Sequence, residues 1–221
     1  MTPSEKFKVD KHVLKEQRVN RIMAAAFDLF SKKGIDTIAM TDIAEKAEIG
    51  VASLYRYYST KEKMVINTVI WAWNQQKSIL IPYLEKKDFE EKNGLEQLDY
   101  ILSLFVTLFE NNTDFLRFIY FFDSYAIRVD LSKEKLEDYE DVIESVEAIF
   151  LSAINKGIMD KSIDQKYKGK ESDLYFALTH ALFNTAQKLS LSGNLLKMDS
   201  LVNGKIELSL IIDMLIKGIS A

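Results

Sequence analysis

The sequence of 221 residues contains no cysteine. That excludes a disulfide framework, a thiolate zinc site and a thiol nucleophile. Histidine is nearly missing too, with His12 and His180 alone, too few for a histidine metal cluster. Glycine (8) and proline (2) are scarce, so the chain has few breaking points. The unbroken apolar runs are only a few residues long, far short of the ~20 that a membrane span needs. The opening stretch MTPSEKFKVDKH has no apolar core of the kind a secretory signal carries. An excess of positive charge is lacking as well: 29 Lys+Arg against 33 Asp+Glu give −4, which mildly opposes a nucleic-acid partner. What is present is apolar content of 48%, too high for a disordered chain with so small a net charge. A soluble cytoplasmic protein of one or two domains is expected, with no membrane partner.

Between the sparse breaks the apolar residues recur at helical spacing. Val19, Ile22, Met23, Ala26, Phe27 and Phe30 follow the pattern of one buried helix face and predict a helix over 14–33. Gly34 ends it at the C′ position, after Lys32 and Lys33, whose charges suit the negative end of the helix dipole. Two very short helices follow, 41–47 and 51–58. Ser59-Thr60-Lys61-Glu62 reads as a capping box, with Ser59 as the cap and Glu62 reaching back. It opens a helix over 61–80 that Pro82 ends or kinks. Further helices are predicted over 94–110, 114–128, 132–156, 171–191 and 204–219. Asn111-Asn112-Thr113 and Ser132 offer caps. Gly157 reads as a break, 158–170 as a polar loop and 192–194 as another break. There is no sustained strand alternation and no repeat. The expected fold is all-α with about nine helices.

Helices as short as the second and third are unstable alone and form only when packed against something, here the first. The piece 43–57 has the apolar spacing of a helix-turn-helix. Ile43, Ala44 and Ala47 face inward on its first helix, Ile49 plugs the turn and Leu54 faces inward on its second. The small Ala44 lets the two helices approach. In such a unit the second helix lies in the DNA major groove.

From Ile22 to Lys63 the sequence resembles the TetR family of bacterial transcriptional regulators. The residues that carry the resemblance are Leu29-Phe30, Gly34, Asp42-Ile43-Ala44, Ala47, Leu54-Tyr55-Arg56-Tyr57-Tyr58 and Lys61-Glu62. They cover about a fifth of the chain in the family's order and spacing. The C-terminal LSLIIDMLIKGI also looks like the family's last helix, a weaker signal. Four departures stand out. Glu48 occupies a turn position where the family often has Gly, which costs about 1 kcal/mol if that residue needs φ > 0. Gly50 stands where a Ser often caps the recognition helix, Ala52 replaces a common Gly, and Ile38 and Ala39 replace the usual Thr residues. The last change leaves Thr37 or Thr41 as the substitute phosphate contact.

The resemblance implies residues 1–60 as a three-helix DNA-binding domain with an N-terminal arm. It implies 61–221 as a helical ligand-binding and dimerisation domain. Split at residue 63, the charge becomes 12 basic against 9 acidic residues (+3) in the head and 17 against 24 (−7) in the body. A basic head on an acidic body suits DNA binding at one end. The expected DNA-contacting residues are Thr41, Val51, Ala52, Ser53, Tyr55, Arg56, Tyr57 and Lys61. Arg56 suits guanine or a phosphate, and the small residues allow close approach and contact with thymine methyls. Tyr55 and Tyr57 resemble the family's paired phosphate-holding aromatics, with core packing as their alternative. Lys61, in the first turn of a helix, suits a phosphate. The arm residues Lys6, Lys8, Lys11, Lys15, Arg18 and Arg21 suit DNA backbone or minor groove, but acidic residues interrupt them and a solvated arm fits equally well.

The body carries no Gly-rich phosphate loop, no HExxH and no nucleophile elbow, so no cofactor, metal or enzymatic activity is expected. Its distinctive feature is aromatic density: Phe115, Phe118, Tyr120, Phe121, Phe122 and Tyr125 give six aromatics in eleven residues. That exceeds one buried stripe, so the helix is either central or borders a cavity. The expected effector-binding residues are Trp73, Phe105, Phe109, Phe118, Phe122, Tyr125, Phe176 and His180, with an apolar or aromatic small molecule as the ligand. Core packing is the alternative for each aromatic. Leu174, Leu178 and Leu182 share helical spacing on one of the last two helices, and Leu208 and Ile212 on the other. By resemblance these helices form a homodimer's four-helix bundle; burial within one copy is the alternative. The functional expectation is a ligand-responsive repressor that binds a palindromic operator in double-stranded DNA as a homodimer. Its rivals are a regulator controlled by a protein partner and an all-α carrier or enzyme for an apolar molecule.

Overall fold

The structure is a computed structural model describing residues 3–192, 195–197, 199–201 and 203–221, with side chains from residue 13 onward except that of residue 200. Among the described residues it is all-α and has no β-strand. Its ten α-helices are α1 (Pro3–Lys33), α2 (Met40–Lys46), α3 (Val51–Tyr57), α4 (Lys61–Leu84) and α5 (Lys87–Glu90), then α6 (Gly94–Asn111), α7 (Thr113–Arg128), α8 (Lys133–Asp160), α9 (Glu171–Ser192) and α10 (Gly204–Ile219). The one beyond the nine expected is α5, a single turn.

The first helix buries Ile22, Met23, Ala26 and Phe30 fully, and half-buries Val19 and Phe27. Gly34 closes it at φ +78, a conformation that only glycine adopts without strain, and donates to the Phe30 carbonyl at 2.9 Å. The helix begins at Pro3 rather than at residue 14, so Lys6, Lys8 and Lys11 lie on α1. Their side chains fall outside the described residues, while Lys15, Arg18 and Arg21 are exposed.

Three other boundaries differ from the sequence reading. Thr60, not Ser59, is the N-cap of α4, and its hydroxyl accepts from Lys63 N at 3.1 Å. Glu62 does not reach back; it pairs with Lys135 of α8 at 2.7 Å. Pro82 sits in the last turn of α4, which runs on to Leu84, so the proline removes one i→i−4 bond without ending the helix. Gly157 does not break α8. The helix passes through it to Asp160 and stops at Lys161 in the left-handed conformation, φ 65. Gly157 instead marks a crossing: a Cβ placed on Gly94 would lie 1.9 Å from Gly157 N, so α6 and α8 touch backbone to backbone. The Asp160 carboxylate completes the joint, accepting from Gly94 N at 2.8 Å and Ser162 N at 2.9 Å. Asn112 caps α7 through its side chain, and Ser132 stands at the N-cap of α8 without a side-chain capping bond.

The buried apolar side chains form one continuous core from Ile22 to Ile219. The head, α1–α3, joins the body through α1, which packs on α4 and α7. Phe118 of α7 stacks on Phe30 (6.0 Å) and meets Phe27 edge-on (5.5 Å). The C-terminal end of α7 also pairs Arg128 with Asp36.

Candidate functional site

The short helices α2 and α3 are held by one small core. Ile43, Ala44, Ala47 and Leu54 are wholly buried. The turn between them needs a reversal of chain direction, which Glu48 supplies at φ 53. Ile49 N then donates to Ala44 O at 3.0 Å. Gly50 caps α3 in an extended conformation with no side chain to offer. At the start of α2, where neither Ile38 nor Ala39 has a hydroxyl, the Asp42 carboxylate accepts from Ala39 N at 2.7 Å.

With Leu54 turned inward, the opposite face of α3 is free. Val51 and Tyr55 are 38% and 46% exposed, and Ala52 and Arg56 are exposed beside them. Ser53 is half-buried, and its hydroxyl accepts from the Arg56 guanidinium at 2.9 Å. Tyr57 is half-buried and lies against the buried Tyr58, with ring centres 6.3 Å apart. Thr41 is exposed on α2. Thr37 is exposed too, but its hydroxyl donates to the Lys33 carbonyl at 2.8 Å. Lys61 is half-buried; its ammonium donates to the Asp36 carbonyl at 3.2 Å, and burial lowers its pKa. Of the eight residues expected to contact DNA, Thr41, Val51, Ala52, Tyr55 and Arg56 are thus exposed, while Ser53, Tyr57 and Lys61 are partly covered. The nearby Lys32 and Lys46 both pair with Asp28, at 2.5 Å and 2.7 Å, which trims the positive charge of the head.

The body holds a partly open cavity of about 910 Å³ bounded by α4, α6, α7, α8 and α9. Trp73, Phe105, Phe176 and His180 line it. An aromatic cluster shapes one wall: Trp73 meets Phe115 at 4.9 Å and Phe183 at 5.7 Å, and Phe105 meets Phe183 at 5.2 Å. Phe109, Phe118, Phe122 and Tyr125 are not among the lining residues. Phe118 packs on the head. Phe122 backs Tyr139 at 5.0 Å. Tyr125 lies under the Arg128 guanidinium at 5.5 Å, and Phe109 lies against Gly204. Phe118, Phe122 and Tyr125 serve the core because α7 is central, and successive faces of it meet the head, the body and the cavity; Phe109, on α6, packs toward the start of α10.

Of the cavity's polar groups, sequence reasoning named His180 and missed the rest. Lys77 projects from α4, and its ammonium donates to Ser145 Oγ at 2.5 Å. Asp123 lines the cavity from α7, one turn beyond Ile119, which also lines it. Water reaches its carboxyl, yet protein surrounds it, and this burial pushes its pKa up to about 6. Burial also keeps the Tyr139 phenol protonated far above its ordinary range. A carboxylate one helical turn from an apolar residue in an aromatic-rich helix was the available signal.

A family model described as bacterial regulatory proteins, tetR family, matches residues 22–67. The chain is 30% identical over 88 residues to the HTH-type transcriptional repressor KstR of Rhodococcus jostii (strain RHA1), covering 40% of this chain and 39% of that protein. It thus spans about two fifths of that curated relative. Among solved structures, a tetR-family regulatory protein from Rhodococcus RHA1 superposes with TM-score 0.64 at 17% identity, covering 92% of this chain and 97% of that one. The transcriptional regulator FadR of Bacillus subtilis, solved with stearoyl-CoA, superposes with TM-score 0.59 at 17% identity, covering 91% and 99%. At these identities the two structures establish the fold.

Proposed function

We propose, for a chain that carries the TetR-family helix-turn-helix over residues 22–67, that it is a DNA-binding transcriptional repressor released by a small apolar effector. In this reading residues 1–60 bind DNA and 61–221 bind the effector and a second copy of the chain. The cytoplasm is its place of work. The observation that carries the reading is the pairing of an exposed α3 face, set on the buried core of Ile43, Ala44, Ala47 and Leu54, with a large cavity whose walls include the helix that follows α3 directly.

Val51, Ala52, Tyr55 and Arg56 present a compact surface to the major groove, with Arg56 the group suited to guanine or phosphate. Thr41, Ser53, Tyr57 and Lys61 flank it and fix its register on the backbone. A two-fold pair of heads reads a palindromic operator, with half-sites one DNA turn or a small multiple apart. The effector fills the cavity between α4 and α7. Both helices touch the head, through Lys61 at Asp36 and through Phe118 and Arg128. The effector weakens operator binding only as far as it prefers the arrangement that DNA does not.

The test is capture of genomic fragments by purified protein, followed by anisotropy titration of the captured site. Affinity is expected to fall steeply with salt as phosphate contacts are screened. Arg56→Ala is expected to cost about 1–3 kcal/mol of operator binding without lowering the melting temperature. Capture of no fragment, or binding indifferent to salt and to Arg56, would sink the proposal.

A further inference from the structure

The face that α3 turns to solvent is short of hydrogen-bonding groups. The helix, VASLYRY, contains no Asn, Gln, Asp, Glu or Lys. At about 100° per residue, its exposed side chains follow one another around the helix in the order Val51, Tyr55, Ala52 and Arg56. Arg56 closes that arc on the side of the half-buried Ser53, and its guanidinium is turned back onto the Ser53 hydroxyl at 2.9 Å. Arg56 thus serves the border of the arc, and the Tyr55 hydroxyl is the one polar side-chain group on the rest of it.

A second feature stands just ahead of this face. Gly50 has an ordinary extended backbone, φ −66 and ψ 140, that any residue adopts. A Cβ placed on it would meet only Ser53 Oγ, at 4.0 Å. Nothing within the chain therefore requires glycine there, and a serine would cap α3 slightly better. What glycine provides is a bare, exposed backbone beside which another surface can come close. Val51 and Ala52 make the same demand. They open α3, where the base edges are met in a helix-turn-helix. Apolar contact needs heavy atoms within about 4.0–4.5 Å, so side chains this short touch a base only when the helix backbone lies deep in the groove.

Of the groups that base pairs show in the major groove, the one an apolar side chain recognises is the C5-methyl of thymine. Adenine is read by Asn or Gln and cytosine by Asp or Glu, none of which α3 carries. Guanine asks for Arg or Lys, and Arg56 is available only at the border. We infer that α3 reads its half-site chiefly through thymine methyl groups, with Val51 and Ala52 as the specificity-determining residues and Gly50 as the point of closest approach. The inference rests on the proposed docking of α3 in the major groove and names the bases recognised there.

The test takes the full-length protein and a duplex that it enriches from a random-sequence pool. Each thymine of the half-site is replaced in turn by uracil, which removes the methyl and keeps every hydrogen-bonding group of the base pair. Anisotropy titration is expected to show a loss of roughly 3- to 5-fold at each of one or two positions, the worth of one buried methyl group, and none elsewhere. Val51→Ala and Ala52→Gly should each lose the thymine–uracil discrimination at one of these positions. Gly50→Ser should melt no lower than the wild type yet bind the duplex roughly 10-fold more weakly, as the added side chain holds α3 off the bases. Uracil tolerated at every thymine, or discrimination that survives both Val51→Ala and Ala52→Gly, overturns the inference and leaves operator binding intact. Undiminished binding by Gly50→Ser overturns the close approach on which it depends. Enrichment of no duplex overturns the proposed DNA binding itself, and the inference with it. If a variant does not fold, the uracil series on the wild-type protein decides.

Discussion

Glu48 is the residue on which the head's geometry is most costly. The turn between α2 and α3 demands φ 53 there, and a side chain in that region crowds its own backbone. The side chain is exposed, so its loss removes no packing. Glu48→Gly should therefore stabilise the protein by up to about 1 kcal/mol, less the entropy that glycine adds to the unfolded chain. For a chain of this size that is a rise of about 2–4 °C in melting temperature, read by circular dichroism. An unchanged or lower melting point would mean that the turn is not strained. The need for φ > 0 at this position was legible from the family resemblance, as were the buried Ile43, Ala44, Ala47 and Leu54. The roles of single aromatics in the body were not. Phe118 and Phe122 stand four apart, with Ile119 and Asp123 each one residue further along, and spacing alone does not say which pair meets the cavity. That depends on where α1 and α8 lie around α7, which is decided by contacts far apart in sequence.

Among the helices, the crossing of α6 over α8 is the tightest contact and gives opposite expectations for its two glycines. A Cβ at Gly94 would strike backbone, Gly157 N at 1.9 Å and Lys156 C at 2.6 Å, and neither atom can move without parting the helices. A Cβ at Gly157 would meet Ile163 Cδ1 at 2.5 Å and Cγ1 at 2.6 Å, side-chain atoms rather than the backbone of a neighbouring helix. Gly94→Ala should thus cost about 3 kcal/mol or more, the upper range for overpacking a core. Gly157→Ala should cost less, since alanine's helix propensity returns up to about 1 kcal/mol in mid-helix. Urea denaturation of the two variants measures the difference, and equal losses would show that the helices do not meet backbone to backbone. This joint explains why Gly157 misled: a lone glycine in a helical run signals either a stop or a close approach, and only the partner helix decides between them. Helix existence was legible for all but the single-turn α5, because 3.6-residue periodicity is local and four residues are too few to show it. The positions of caps were less so, since Ser59 and Thr60 are chemically alike and one residue apart.

At the scale of the molecule, the sequence showed that the last two helices are apolar on wide faces but not which face looks outward. Leu174, Leu178, Leu182, Leu208 and Ile212 are buried within the single chain. The exposed row on α10 is instead Ile206, Leu210 and Met214, 57%, 56% and 62% exposed and spaced four residues apart on one side of the helix. A helix that spends one apolar face on its own core and presents another to water is suited to a partner of the same kind, as a two-fold bundle requires. Leu210→Asp sets a charge in the middle of that row and touches nothing in the monomer core, so the melting of each subunit should survive. Sedimentation equilibrium should find about twice the 25.4 kDa chain mass for the wild type and the single-chain mass for the variant. Operator affinity should fall with dimerisation, by about 10²- to 10⁴-fold, because each head then binds its half-site without the effective concentration its partner supplies. If Leu210→Asp remains a dimer that binds DNA normally, the pairing of copies runs through some other face. The basic heads would then have to be spaced on the operator by a different part of the acidic body.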